Sequence, residues 1–198
     1  MPRTVDPQRK EELLDAALSY VVAHGVSDMS LRPLARAVGS SPRALLYHFG
    51  SKEELVAHIL GRAAARQREL FAKLKSRNLG SRQACRAIWD VMSAPSSETT
   101  FRLFFEVYGL ALQDRKRFAF FLKRVVQDWL TFIAEPLVQE GWRRHDAEAF
   151  ATVLIAGYRG FMLDLCATRD RKRVDAAVDV WLASITGTKD SERCAAGR

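Results

Sequence analysis

Apolar residues recur along this chain at spacings of three and four, while the alternating runs that mark half-buried strands are scarce, so the pattern predicts a succession of helices. The first spans 8–24, with Leu14, Ala17, Leu18 and Val21 on one face and Gly25 placed to take the left-handed conformation that ends it. A short second helix, 31–38, follows Ser30 as N-cap. It tolerates Pro33 in its first turn, where backbone donors are unpaired anyway, and stops at Gly39. Ser41 caps a third helix that opens on Pro42 and closes at Gly50. Ser51-Lys52-Glu53-Glu54 is a capping box and opens a long fourth helix to 75. Beyond a turn near Asn78-Leu79-Gly80 the pattern predicts 81–94, 97–112, 115–139, 146–167 and 173–186. Pro95-Ser96 and Gly141 act as breaks, Asp146 as a cap, and Pro136 kinks or shortens its helix. Residues 187–198 are small and polar and are expected to form a disordered tail.

The second and third helices are too short to stand alone and must pack on the first and fourth. Two short helices joined by Gly39-Ser40-Ser41 and braced on both sides make a helix-turn-helix, whose second helix enters the major groove of DNA. Leu45 and Phe49, four apart, face inward and leave Arg43, Ala44, Tyr47 and His48 nearer solvent. Arg43 is placed to fork two donors to guanine O6 and N7, and Ala44 to meet a thymine methyl. Ser40, Ser41, Tyr47 and His48 are candidate phosphate contacts. At Lys52, helix N-terminal amides and an ammonium can converge on one phosphate. Arg3, Arg9 and Lys10 read as a solvated basic segment, with a groove contact as the competing reading.

Lys and Arg number 31 against 23 Asp and Glu, a net charge of +8 that favours an anionic partner. The excess does not locate the site. Up to residue 55 the basic Arg3, Arg9, Lys10, Arg32, Arg36, Arg43 and Lys52 are balanced by Asp6, Glu11, Glu12, Asp15, Asp28, Glu53 and Glu54. Cys85, Cys166 and Cys194 are too widely spaced for a disulfide framework or a clustered zinc site, which suits a reducing compartment. The N-terminal residues lack the apolar stretch of a signal peptide and no run of 18 apolar residues occurs, so a soluble, cytoplasmic protein without a membrane partner is expected. No H-E-x-x-H, G-x-S-x-G or phosphate-binding glycine loop is present, and His24, His48, His58 and His145 show no ligand spacing. The expectation is therefore no catalysis, no metal and no cofactor.

The stretch from Arg9 to Leu60 resembles the DNA-binding domain of the TetR family of bacterial one-component regulators. The resemblance rests on Leu34-Ala35 before Gly39, on Tyr47-His48-Phe49, and on Ser51-Lys52-Glu53-Glu54-Leu55. The family's usual tyrosine three residues before the phenylalanine is Leu46 here. The resemblance assigns its phosphate contact to Tyr47, one place later, and carries Lys52 over directly. It implies an all-α fold, with a three-helix helix-turn-helix domain over 1–55 and a helical effector-binding and dimerisation domain over 56–186. The implied function is that of a repressor that binds a palindromic double-stranded DNA operator as a homodimer and is released by a small-molecule effector. A helical small-molecule sensor or interaction module without DNA binding is the competing class.

Most of the aromatic residues fall between 85 and 161. In a TetR-like protein this region forms the effector pocket, and such a lining suits an apolar or aromatic molecule. The candidates are Trp89, Phe104, Phe105, Tyr108, Phe121, Trp129, Tyr158 and Met162. Glu106, Asp128, Tyr158 and Arg159 are candidates to orient a ligand, although rings at helical spacing equally fill a core. The last two helices carry apolar stripes, Phe150, Leu154, Gly157 and Phe161 on one and Val178, Trp181, Leu182 and Ile185 on the other. These read as a dimer interface that builds a four-helix bundle with a second copy. Packing within the chain is the alternative. The segment from Glu140 to Asp146 and the later Arg159-Gly160 also resemble the family's C-terminal half.

Overall fold

The Asp6 carboxylate accepts the backbone N–H groups of Gln8 and Arg9 at 3.0 and 3.3 Å, and Pro7 occupies the first position, so α1 (Pro7–His24) begins on a satisfied cap. The computed structural model describes residues 6–25, 30–75 and 81–195. Arg3 and the turn expected near Asn78-Leu79-Gly80 lie outside them. Among the described residues the chain is all-α, with α2 (Leu31–Ala37), α3 (Pro42–Phe49), α4 (Lys52–Lys75), α5 (Ser81–Met92), α6 (Pro95–Gln113), α7 (Ala119–Gln139), α8 (Arg144–Thr168) and α9 (Arg171–Ala195) following in order.

Local chemistry explains most boundaries. Ser41 Oγ accepts the Ala44 N–H at 3.1 Å. Ser51 and Glu54 exchange reciprocal 3.1 Å bonds that complete the capping box. Ser30 precedes α2 but forms no side-chain cap. Where the expected boundaries shift, the cause is also local. Pro95 starts α6 instead of preceding it, because a proline costs nothing at the first helical position. The start of α7 moves from 115 to 119, since the Asp114 carboxylate captures the Arg117 N–H and holds that stretch in a turn. Asp146 lies inside the first turn of α8, bonded to Arg143 rather than capping. Pro136 does not end α7, which continues to Gln139. The segment expected to be a disordered tail from 187 instead extends α9 to Ala195, because one glycine inside a helix costs only about 1 kcal/mol relative to alanine.

Two apolar clusters organise the bundle. One joins Leu13, Val21, Leu34, Leu45, Phe49, Leu55 and Ile59 to Leu103, Val107 and Ala111 of α6 and Phe121 of α7. The other gathers Phe71, Trp89, Phe101, Leu154, Tyr158, Met162, Val174, Val178 and Leu182. A small seam of Ala134, Ala147 and Ala151 lets α7 and α8 lie close together. Since α4 runs unbroken through residues 55 and 56, the helix-turn-helix and the rest of the bundle share a rigid element and a continuous core.

Gly50 has φ of +85°, and a Cβ there would collide with the Glu54 carboxylate that holds the Ser51 N–H. Gly50→Ala is expected to destabilise the protein by more than about 1 kcal/mol, through backbone strain and a broken cap together. A lower urea midpoint at unchanged slope would show this, and an unchanged midpoint would contradict it.

Candidate reading helix and cavity

Packing decides which face α3 presents. Leu45 and Phe49 are buried in the core, so the opposite face, with Arg43, Leu46 and Tyr47, is exposed. Ala44 and His48 are half-buried on its flanks, Ser40 is half-buried in the preceding turn, and Lys52 stands partly exposed at the first residue of α4. The Tyr47 ring meets His48 edge-on at 5.5 Å. The Nδ1 of His48 is buried without a hydrogen-bond partner, which leaves only the other ring nitrogen for a phosphate. The turn is fixed from behind. Arg9 donates to the Gly39 carbonyl at 3.3 Å and Lys10 sits 5.4 Å from the centre of the Phe49 ring, so these two side chains brace the reading unit rather than forming a free arm.

Further along α4, Arg62 grips Asp15 with two bonds of 2.7 and 2.8 Å and Arg66 adds a third at 2.7 Å, which fastens α1 to α4. The Arg62 hydrogen bond holds the Asp15 carboxyl below its usual range. Arg117, before α7, pairs with Glu53 at the start of α4.

Beside α4 opens a cavity of about 860 Å³, walled by α1 and by α4 to α9. Phe104, Phe121, Trp129 and Tyr158 line it, together with Asp128 and Arg159. Trp89, Phe105, Tyr108 and Met162 do not. Trp89 and Met162 are fully buried in the core, where the Trp89 indole N–H donates to Asp175 at 2.6 Å. The Tyr158 hydroxyl is committed to the Cys85 carbonyl at 2.7 Å, and burial pushes that hydroxyl's pKa far up. Phe101 and Phe132 of the aromatic-rich region also line the cavity, as do Phe71 and Arg68, which sequence reasoning passed over. A signal for Arg68 existed: it interrupts the apolar stripe of Ala57, Gly61, Ala64 and Phe71 on the inward face of α4.

The stripes expected to meet a second copy are partly turned into the chain's own core. Leu154, Val178 and Leu182 are 4, 0 and 1% exposed, Gly157 packs against the Trp181 ring, and Phe150 and Ile185 border the cavity. Leu154, Val178 and Leu182 are thereby enclosed within the chain, while Phe150, Gly157, Phe161, Trp181 and Ile185 stay half-buried. The face left open carries Ala149, Val153, Ala156, Gly160 and Leu163 on α8 and Ala176, Val180 and Ser184 on α9. With apolar residues on both faces, α8 is by length and composition long and apolar enough to cross a membrane.

The family of bacterial regulatory proteins described as the tetR family matches residues 13–59, which cover α2, α3 and the adjoining parts of α1 and α4. Over these residues, about a quarter of its length, the chain is similar to the TetR family. The matched residues are the helix-turn-helix of that family of regulatory proteins. The HTH-type transcriptional regulator BetI of Rhizobium meliloti is 28% identical over 178 residues, which span 88% of this chain and 74% of that protein. The HTH-type transcriptional repressor AcnR of Corynebacterium diphtheriae is 34% identical over 65 residues, 33% of this chain and 34% of its own. Among solved structures, a multidrug binding protein, EbrR, complexed with imidazole, superposes with a TM-score of 0.69 at 20% identity, covering 94% of each chain.

His58 links the reading helix and the cavity. Its ring lies 5.6 Å from Phe49 at the end of the reading helix and 5.1 Å from Phe120, which lines the cavity as His58 itself does. Burial, reinforced by the Lys10 and Arg124 charges against the opposing Glu54 and Glu11, lowers its pKa below the ordinary 6.5. Between those two values the unfolded chain binds a proton that the folded chain refuses. The stabilising contribution is therefore complete above about pH 6.5 and declines as pH falls toward the folded value. Urea melts at pH 7.5, 6.5 and 5.5 are expected to show this loss, and His58→Leu to flatten that part of the slope. An identical slope in the variant would remove His58 as its source.

Proposed function

We propose that the chain is a homodimeric, cytoplasmic repressor whose paired α3 helices read a palindromic operator, and that an apolar or aromatic effector entering the cavity releases it. The observation that carries this reading is the capped α3 rod, held inward by Leu45 and Phe49 with Arg43 and Tyr47 turned outward. Ser40, Ser41, Tyr47, His48 and Lys52 on and beside that face are proposed to position the phosphates, and Ala44 to meet a base. The division into a reading unit up to residue 55 and an effector and dimer unit beyond it follows the same logic, with α4 as the lever between them. The open face of α8 and α9, which exposes Val153, Leu163 and Val180, supports pairing of these helices with a second copy in a four-helix bundle. A ligand shifts such an equilibrium only by its differential affinity for the two arrangements, so a displacement of α4 that spoils the spacing of the two heads is sufficient.

Selection of bound fragments from random DNA by the purified full-length protein tests this. The expected consensus is an inverted repeat with half-sites about one helical turn apart or a multiple of it. A single unrepeated site, or no enrichment, would overturn the palindromic reading.

A further inference from the structure

The charged groups around the cavity are unevenly matched. Glu11 pairs with Arg62 at 3.1 Å and Asp128 with Arg124 at 3.1 Å. Two guanidinium groups lining the same space have no carboxylate partner among the described residues. Arg68 lies 5.4 Å over the Trp129 ring, and its Nη1 is buried without any hydrogen-bond partner. Arg159 stacks on Phe104 and Tyr108 at 5.2 and 5.8 Å and donates only to the Val125 carbonyl. Val125 and Trp129 are one turn apart on α7, so both arginines converge on the same stretch of that helix. The remaining lining carboxylate, Glu140, caps the far end of α7, about 16 Å along the axis from Trp129 at 1.5 Å per residue.

A guanidinium stays charged in a protein, and burying it without an anion is unfavourable unless a bound group supplies one. The surrounding wall is aromatic: Phe104, Phe121, Trp129 and Phe132. We propose that the effector is an amphipathic organic carboxylate, its anionic head held by Arg159 and Arg68 and its apolar body laid along these rings. This deepens the reading of the cavity as the effector site and rests on it. Forked guanidinium donors match a carboxylate's two oxygens and discriminate against a neutral or cationic head of equal apolar length.

Three probes of equal chain length separate the possibilities by calorimetry on the full-length protein: decanoate, 1-decanol and decyltrimethylammonium. Decanoate is expected to bind at least about tenfold more tightly than 1-decanol, with decyltrimethylammonium weakest. Arg159→Met should bring decanoate down to the affinity of the alcohol while the alcohol itself is unaffected, and Arg68→Met should act in the same direction. The wild-type ranking alone is decisive if either variant fails to fold. Equal binding of acid and alcohol, tighter binding of the ammonium, or no binding by any probe would overturn the proposal. Retention of DNA, measured on the same preparation without probe, reports separately on the regulator reading. Its loss would sink that reading while the order of the three affinities still judges the anion site.

Discussion

Trp89→Ala is expected to lower stability by about 3–5 kcal/mol, the range for removing a fully buried indole, and to bring Tm down by roughly 10 °C. Trp89 is 0% exposed and sits where α5, α8 and α9 meet. Its ring lies nearly parallel to Tyr158 at 6.5 Å and edge-on to Phe161 at 6.2 Å, and its N–H reaches the Asp175 carboxylate, which also faces Arg86 at 3.8 Å. Truncation would thus open a void and strip the carboxylate of a donor. Trp89→Phe separates these effects by keeping much of the volume while removing the N–H, and should cost about 1–3 kcal/mol. Urea denaturation of the three proteins checks the order. If Trp89→Phe proved as damaging as Trp89→Ala, the polar contact rather than packing would dominate at this junction.

The same residue illustrates what the sequence could and could not convey. Caps such as Ser41 and the Ser51–Glu54 pair are decided within four residues, so the reading unit was legible almost to the residue. Burial in the second half is decided by distant helices. Trp89 and Phe104 look alike in a periodic aromatic pattern, yet one is sealed in the core and the other lines the cavity. On α8 the ambiguity is sharper, because helical periodicity identifies a face without saying what meets it. The stripe containing Leu154 and Gly157 packs against α9, while the less apolar stripe containing Val153 and Leu163 remains open. Arg68 shows the opposite lesson, a local irregularity whose meaning emerges only when α7 and α8 bring Trp129 and Arg159 to the same cavity.

Arg43→Ala is expected to reduce operator affinity by about 10- to 100-fold for each reading head, since a bidentate arginine–guanine contact is worth about 1–3 kcal/mol. With two heads on one operator the loss compounds toward 10²- to 10⁴-fold, at a position exposed enough that stability should stay within about 0.5 kcal/mol. Lys52→Ala should behave differently. A phosphate contact carries no sequence information, so its loss weakens specific and unrelated DNA alike and reduces the salt dependence of binding by about one counterion per head. Titrating wild type and both variants against the selected operator and a scrambled duplex at several salt concentrations separates these roles. Relaxed preference at one symmetric base pair with Arg43→Ala, and uniform weakening with Lys52→Ala, is the expected pair of results. If Arg43→Ala weakened both duplexes equally, Arg43 would be a backbone anchor, and the reading of bases would have to pass to Ala44 and Tyr47 on the same outward flank of α3.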